Sequence, residues 1–213
     1  AIAQGADERM FINKGNWRDS SATDNDLINP LRQTLGQATH AHELIVVHLM
    51  GQHFHYAQRC PESEKPFLNT DNDRVMQAMK AAGRSSSIRQ SRNEYDNAVH
   101  CGARSVANML EVLQTARGQR QLSVLYFSDH GQEVGHHRDF AGHSEQDDSG
   151  YTIPVWLWRN TSQASGSHLT TSDQAFDLQW ADQAIHNLLG IRSAWYAPDS
   201  DPLHAMPQQH AAQ

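Results

Sequence analysis

The stretch Leu122-Ser123-Val124-Leu125-Tyr126-Phe127-Ser128-Asp129-His130-Gly131 is an apolar run that ends abruptly in a carboxylate, an imidazole and a glycine. A nearly continuous apolar segment of this length predicts a strand buried on both faces of a parallel sheet. Open α/β sheets bind ligands at the carboxyl ends of their strands, which puts a candidate site at Asp129 and His130. One hard oxygen and one borderline nitrogen suit zinc, and Gly131 lets the backbone turn so that both face one ion. Alone, Asp-His-Gly is a weak motif, because an aspartate opening a surface turn produces the same three letters.

Outward from this run, Leu44-Ile45-Val46-Val47-His48-Leu49-Met50 and Ile153-Pro154-Val155-Trp156-Leu157-Trp158 read as two further strands, with Pro154 near a start, where its missing donor costs least. Helical patterns lie between and around them. Val99, Val106, Leu110 and Leu113 form one stripe within Glu94 to Arg117, with Gly118 as a stop. Asp71 is the predicted cap of a helix to about Ala82, and Asp24 of one to about Leu35. Ser172 to Leu189 predicts a last helix ended by Gly190. The alternation implies an α/β fold, a largely parallel sheet sandwiched by helices. Arg84 to Arg92 and Asn160 to Thr171 are Ser- or Thr-rich and read as surface loops. One domain over residues 1–197 is expected, followed by a poorly ordered tail over 198–213.

Length and charge narrow the function. The 213 residues suffice for one domain with a full core, and no apolar run is long enough to cross a bilayer. Ala1 is not an initiator methionine and no signal peptide is legible, so the start reads as truncated or processed. A net charge of -7 argues against nucleic-acid binding, which needs a basic stripe to neutralise phosphates. Histidine is over-represented with 14 copies, clustered at His40, His42, His48, His53 and His55 and again at His130, His136, His137 and His143. His48, inside the first apolar run, and His53, five residues on, could reach the same sheet edge. The loop from His136 to His143 could fold back over it. Cys60 and Cys101 lack metal or redox spacing, and form either one disulfide or two packed thiols.

Three blocks carry a resemblance: Leu44 to His53, Glu94-Tyr95-Asp96-Asn97-Ala98-Val99, and Tyr126 to Val134. In this order they resemble the phosphoethanolamine transferases of the alkaline-phosphatase and sulfatase superfamily. Phe140-Ala141-Gly142-His143 and Tyr151-Thr152-Ile153-Pro154-Val155 extend the likeness toward the branch that modifies the lipopolysaccharide core. The match runs over roughly residues 8 to 192. It implies a periplasmic domain of a bacterial inner-membrane protein, with transmembrane helices ahead of this segment and the N-terminal part of the domain missing. The implied enzyme uses Zn2+ and a threonine that takes phosphoethanolamine from phosphatidylethanolamine and passes it to lipid A or a core sugar.

Carried over residue by residue, Asp129 and His130 match ligands of the principal zinc. His53 and His143 match positions tied to a second metal or to the phosphoryl group, and His48 matches the histidine earlier in the same block. The family's metal-binding glutamate and its threonine belong to segments ahead of residue 8 and are not assigned here. An acidic residue commonly follows Asp-His-Gly in the family, whereas this chain has Gln132 and then Glu133, and Cys60 stands where tyrosine is common. Two other readings remain: a sulfatase or phosphodiesterase-type hydrolase of the same superfamily, and a catalytically incomplete domain that binds metal or headgroup and turns nothing over.

Overall fold

The computed structural model of the chain describes residues 2–13, 22–68, 73–116, 120–160 and 177–203. They fall into two units. One comprises Ala1–Gln37, Val47–Gly118 and His130–Thr152, and the other Ala38–Val46, Gln119–Asp129 and Ile153–Gln213.

The first unit is built on helices. A 3-10 turn, Asp24–Leu27, leads into α1, Ile28–Gln37. The helix cap expected at Asp24 lies one residue earlier. Thr23 meets the Asp26 carboxylate through its backbone N–H at 2.6 Å and its hydroxyl at 3.2 Å. The α2 helix, Arg74–Ala81, is capped by Asp73, whose carboxylate accepts the N–H groups of Val75 and Met76 at 2.7 and 3.2 Å. Asp71, the expected cap, lies outside the described residues.

The α3 helix, Ser86–Thr115, starts eight residues before the expected Glu94 and absorbs most of the segment read as a Ser-rich loop. The cause is local: Ser85 caps the helix by accepting the Ile88 N–H at 3.4 Å, and Arg92 reaches one turn ahead to Asp96 at 2.9 Å. Gly118 is outside the described residues. Against α3 pack α1 and a two-stranded antiparallel hairpin of β2, Glu133–Val134, and β3, Ala141–Gly142. The core where they meet consists of Tyr56, Ala98 and Val134, with Tyr95 and Ala141 packed on it. Cys60 and Cys101 are joined in a disulfide, so the open pairing resolves to a bond that pins the 53–60 turn to α3.

The second unit holds β1, Ser123–Phe127, paired antiparallel with β4, Val155–Arg159, in the register Ser123↔Arg159 to Phe127↔Val155. Tyr126 and Trp156 stack across it at 5.1 Å between ring centroids. The Asn160 side chain closes the open end, accepting the Leu122 N–H at 2.6 Å and donating to the Arg120 carbonyl at 2.9 Å. The α4 helix, Ala181–Leu189, follows a 3-10 turn capped by Asp177 and ends, as expected, at Gly190, whose φ of 66° an L side chain rarely adopts. It starts later than the expected Ser172, and residues 161–176 are outside those described.

Three local details differ from expectation. Both pairings among the described residues are antiparallel, whereas the alternation of runs predicted a largely parallel sheet. What joins β1 to β4 is a loop module with a short hairpin rather than a crossover helix, and parallel neighbours need the latter. Leu44 to Met50 takes no regular secondary structure and joins no ladder among the described residues, and Leu44, Ile45 and Val46 are exposed. An apolar run becomes a strand only where a partner supplies hydrogen bonds. Pro198–Ser200 forms a 3-10 turn, and Asp201 and Leu203 beyond it are buried where a loose tail was expected. Asp201 accounts for this by accepting hydrogen bonds from Asn187 at 2.5 Å and Tyr196 at 2.8 Å.

Candidate functional site

Asp129 closes the segment that follows β1 in one unit, and His130 opens the loop module of the other. At His130 the chain turns, and the turn is held from both sides. Gly131 donates its N–H to the Gly150 carbonyl at 2.8 Å, and its Cα lies so close to the 3-10 turn Asp148–Gly150 that an added Cβ would sit 2.1 Å from the Ser149 carbonyl oxygen. Only glycine fits there. Gly150 is similarly constrained, with 1.8 Å from a built Cβ to the Ser144 carbonyl oxygen.

That turn brings two imidazoles together. The rings of His130 and His143 lie 4.2 Å apart between centroids, and both turn Nδ1 toward the carbonyl oxygen of Gly131, at 2.9 and 3.5 Å. A carbonyl only accepts, so in each ring Nδ1 is the donor. Two imidazoles are thereby held on one carbonyl by one loop. His130 is half-buried and His143 exposed.

Glu133 is the keystone of the module. It has no exposed surface, yet it is a carboxylate. Its Oε1 accepts the N–H groups of His137 at 2.9 Å and Arg138 at 3.4 Å, and its Oε2 accepts the Ser149 hydroxyl at 2.6 Å. Burial pushes its pKa up, but the Ser149 hydroxyl, the two amides and the neighbouring His136 outweigh burial and hold it below the ordinary glutamate value. Through its backbone Glu133 pairs with Gly142, the residue before His143. Gln132, where the family commonly has an acid, accepts the hydroxyl of buried Tyr56 at 3.0 Å. Burial, followed by the proximity of Tyr95, raises the Tyr56 pKa far above the ordinary phenol range, which keeps it a donor.

His53 lies on an exposed turn whose backbone is fixed by Asp24, which accepts the N–H groups of Met50 at 2.9 Å and Gly51 at 2.8 Å. Its Nδ1 is 3.4 Å from the Phe54 carbonyl oxygen, and its own carbonyl accepts Arg59 Nε at 3.3 Å. His48 is exposed on the segment before that turn. The structure therefore brings His130 and His143 together. Among the described residues no three His, Cys, Asp or Glu side chains form a group that would hold a metal ion. Sequence reasoning missed Glu133, Ser149 and the anchoring by Asp24, because their roles come from contacts distant in sequence. The one available signal was Glu133 itself, an acid beside Asp-His-Gly.

Residues 6–189 match the family model described as Sulfatase. The chain belongs to the sulfatase family. Among curated members it is 27% identical over 206 residues to phosphoethanolamine transferase EptC of Escherichia coli K12, covering 92% of this chain and 34% of EptC. It is 28% identical over 205 residues to phosphoethanolamine transferase CptA of Salmonella typhimurium LT2, covering 92% of this chain and 34% of CptA. The crystal structure of the C-terminal periplasmic domain of E. coli EptC matches with a TM-score of 0.72 at 27% identity, over 92% of this chain and 54% of that one. A structure of the same domain in complex with Zn matches at a TM-score of 0.66 and 24% identity, over 97% of this chain and 55% of that one, a likeness of fold. The sulfatase-family chain thus has the mixed α/β alkaline-phosphatase and sulfatase fold. It spans about a third of the length of these curated relatives and about half of the solved domain. No helix among the described residues is long and apolar enough to cross a membrane.

Proposed function

We propose that this chain is the later part of the catalytic domain of a zinc-dependent phosphoethanolamine transferase, on the periplasmic face of a bacterial inner membrane and tethered by helices ahead of this segment. The observation that carries the reading is the His130–His143 pair, fixed on one carbonyl directly after Asp129, in a chain aligned over 92% of its length with EptC. The donor set fits zinc. His130 turns its Nδ1 to a backbone carbonyl, the usual support of a metal-binding imidazole, and the resemblance pairs it with the carboxylate of Asp129. Further ligands come from a glutamate and a threonine that the resemblance puts ahead of the matched segment. Bound zinc would lower the pKa of the threonine hydroxyl and neutralise charge on the phosphoryl oxygens.

The donor is phosphatidylethanolamine. The threonine oxygen bonds to phosphorus as the bond from phosphorus to the diacylglycerol oxygen breaks, and diacylglycerol leaves with a proton. A hydroxyl of lipid A or of a core sugar then bonds to phosphorus as the threonine oxygen departs. His143, in its neutral form, can accept the proton of that attacking hydroxyl at Nε2. His53 and His48 are assigned to the phosphoryl side of the site, where imidazolium or N–H donors steady the oxygens.

The test is transfer of labelled phosphoethanolamine from phosphatidylethanolamine to a lipopolysaccharide acceptor by the longer protein, before and after chelation. Activity lost on chelation and restored by zinc is expected. Full transfer by metal-free protein overturns the reading.

A further inference from the structure

Beside His143 lies a recess of about 410 Å³ lined by Arg138, Phe140, His143, Ser144, Glu145 and Gln146. Its floor is built. Arg138 spans it, donating to Gln146 Oε1 at 2.6 Å and Ser144 Oγ at 2.7 Å, with Nε 2.7 Å from the Asp147 carboxylate. Buried Ser144 donates to the same Asp147 at 2.7 Å and accepts the Gln146 N–H at 3.2 Å. The backbone of Glu145 is fixed as well, its carbonyl accepting the Tyr151 hydroxyl at 3.1 Å.

The charges within this frame are unevenly spent. Arg138 is neutralised by Asp147 and occupies one face of Phe140, at 5.3 Å from the ring centroid. Glu145 is exposed, and among the described residues no cation pairs with its carboxylate. Phe140 is 40% exposed. A carboxylate beside an open aromatic surface is the chemistry that receives an alkylammonium ion. Glu145 stands two residues from His143, so their Cα atoms are at most about 7 Å apart. A phosphate ester and an ammonium joined by two methylene groups fit within such a span.

We propose that this recess is a headgroup subsite, with Glu145 and Phe140 receiving the ammonium of phosphoethanolamine while its phosphoryl group faces His143. The proposal rests on the transferase reading and adds the residues that select the headgroup.

The experiment is a titration of the longer protein followed by NMR, using phosphoethanolamine and n-propyl phosphate, which has the same outline with methyl in place of ammonium, each with zinc supplied. The exposed ion pair and half-open ring together should make phosphoethanolamine bind about fivefold more tightly. Glu145→Gln should bring the two compounds to within about twofold of each other and leave n-propyl phosphate binding unchanged. Phe140→Leu should reduce the preference in part. Equal affinities in the unaltered protein, with shifts at His130 and His143, would overturn the subsite and leave the phosphoryl site standing. Retained preference in Glu145→Gln would also overturn it. Binding of neither compound would remove both readings.

Discussion

Ser149 donates its hydroxyl to Oε2 of Glu133 at 2.6 Å, while the carbonyl of the same serine lies against Gly131, the residue after His130. One residue thus couples a fully buried carboxylate to the turn that presents the candidate ligand. Because Glu133 also pairs with Gly142 through its backbone, the positions of both His130 and His143 depend on it.

Glu133→Ala should therefore cost about 3 kcal/mol, since three donors lose a charged acceptor in a site closed to water. Glu133→Gln should cost less, about 1–2 kcal/mol, because its oxygen can face the His137 and Arg138 amides while the Ser149 hydroxyl rotates to accept from the amide nitrogen. Denaturant melts of the three proteins check the order.

The acid limit of stability follows from the same residue. The folded-state pKa of Glu133 is lowered, so as pH falls the unfolded chain takes up the proton first. The stabilisation is complete above the ordinary glutamate value of about 4.3 and is lost as pH falls through the lower folded value. Melting temperatures between pH 6 and pH 3 should drop most steeply below about pH 4.3. Glu133→Gln should flatten that drop.

Gly131→Ala should misplace His130, because a methyl group cannot share 2.1 Å with the Ser149 carbonyl oxygen. The backbone must move, at a cost of about 2 kcal/mol or more. Loss of the close approach between the His130 and His143 ring protons, read by NMR, is the expected signature.

Reducing the Cys60–Cys101 bond should destabilise the protein by up to about 4 kcal/mol, from the entropy of a loop whose ends are 41 residues apart. The 53–60 turn carrying His53 and Tyr56 should loosen first, since the bond ties it to α3. Faster amide exchange around Tyr56 on adding reductant checks this.

Much of this was legible in the chain because its signals were local. The β1 and β4 strands, the Gly190 stop and the turn at Gly131 each follow from a few adjacent residues. The α3 helix was legible in its apolar stripe but not in its start, because serine reads equally as loop or cap. Leu44 to Met50 has the composition of a strand, yet strand formation depends on a ladder partner that composition does not encode. The closeness of His130 and His143 was legible in part, as a histidine-rich loop placed to fold back over the end of the strand. Its physical cause, two glycines pressed on carbonyls and a buried glutamate, joins residues 131, 133, 144, 149 and 150 across a loop whose letters look like surface.

The zinc-transferase reading stands or falls on His130. Its side chain faces a turn and adds little to the core, so His130→Ala should change stability by only about 1 kcal/mol. Losing a metal ligand should raise the barrier to phosphoryl transfer by several kcal/mol, on the order of a thousandfold or more in rate. Transfer from labelled phosphatidylethanolamine by His130→Ala in the longer protein, run beside a thermal melt, separates the two effects. A well-folded variant with no detectable transfer and no retained zinc is the predicted result; a well-folded variant with near-normal transfer would contradict the reading.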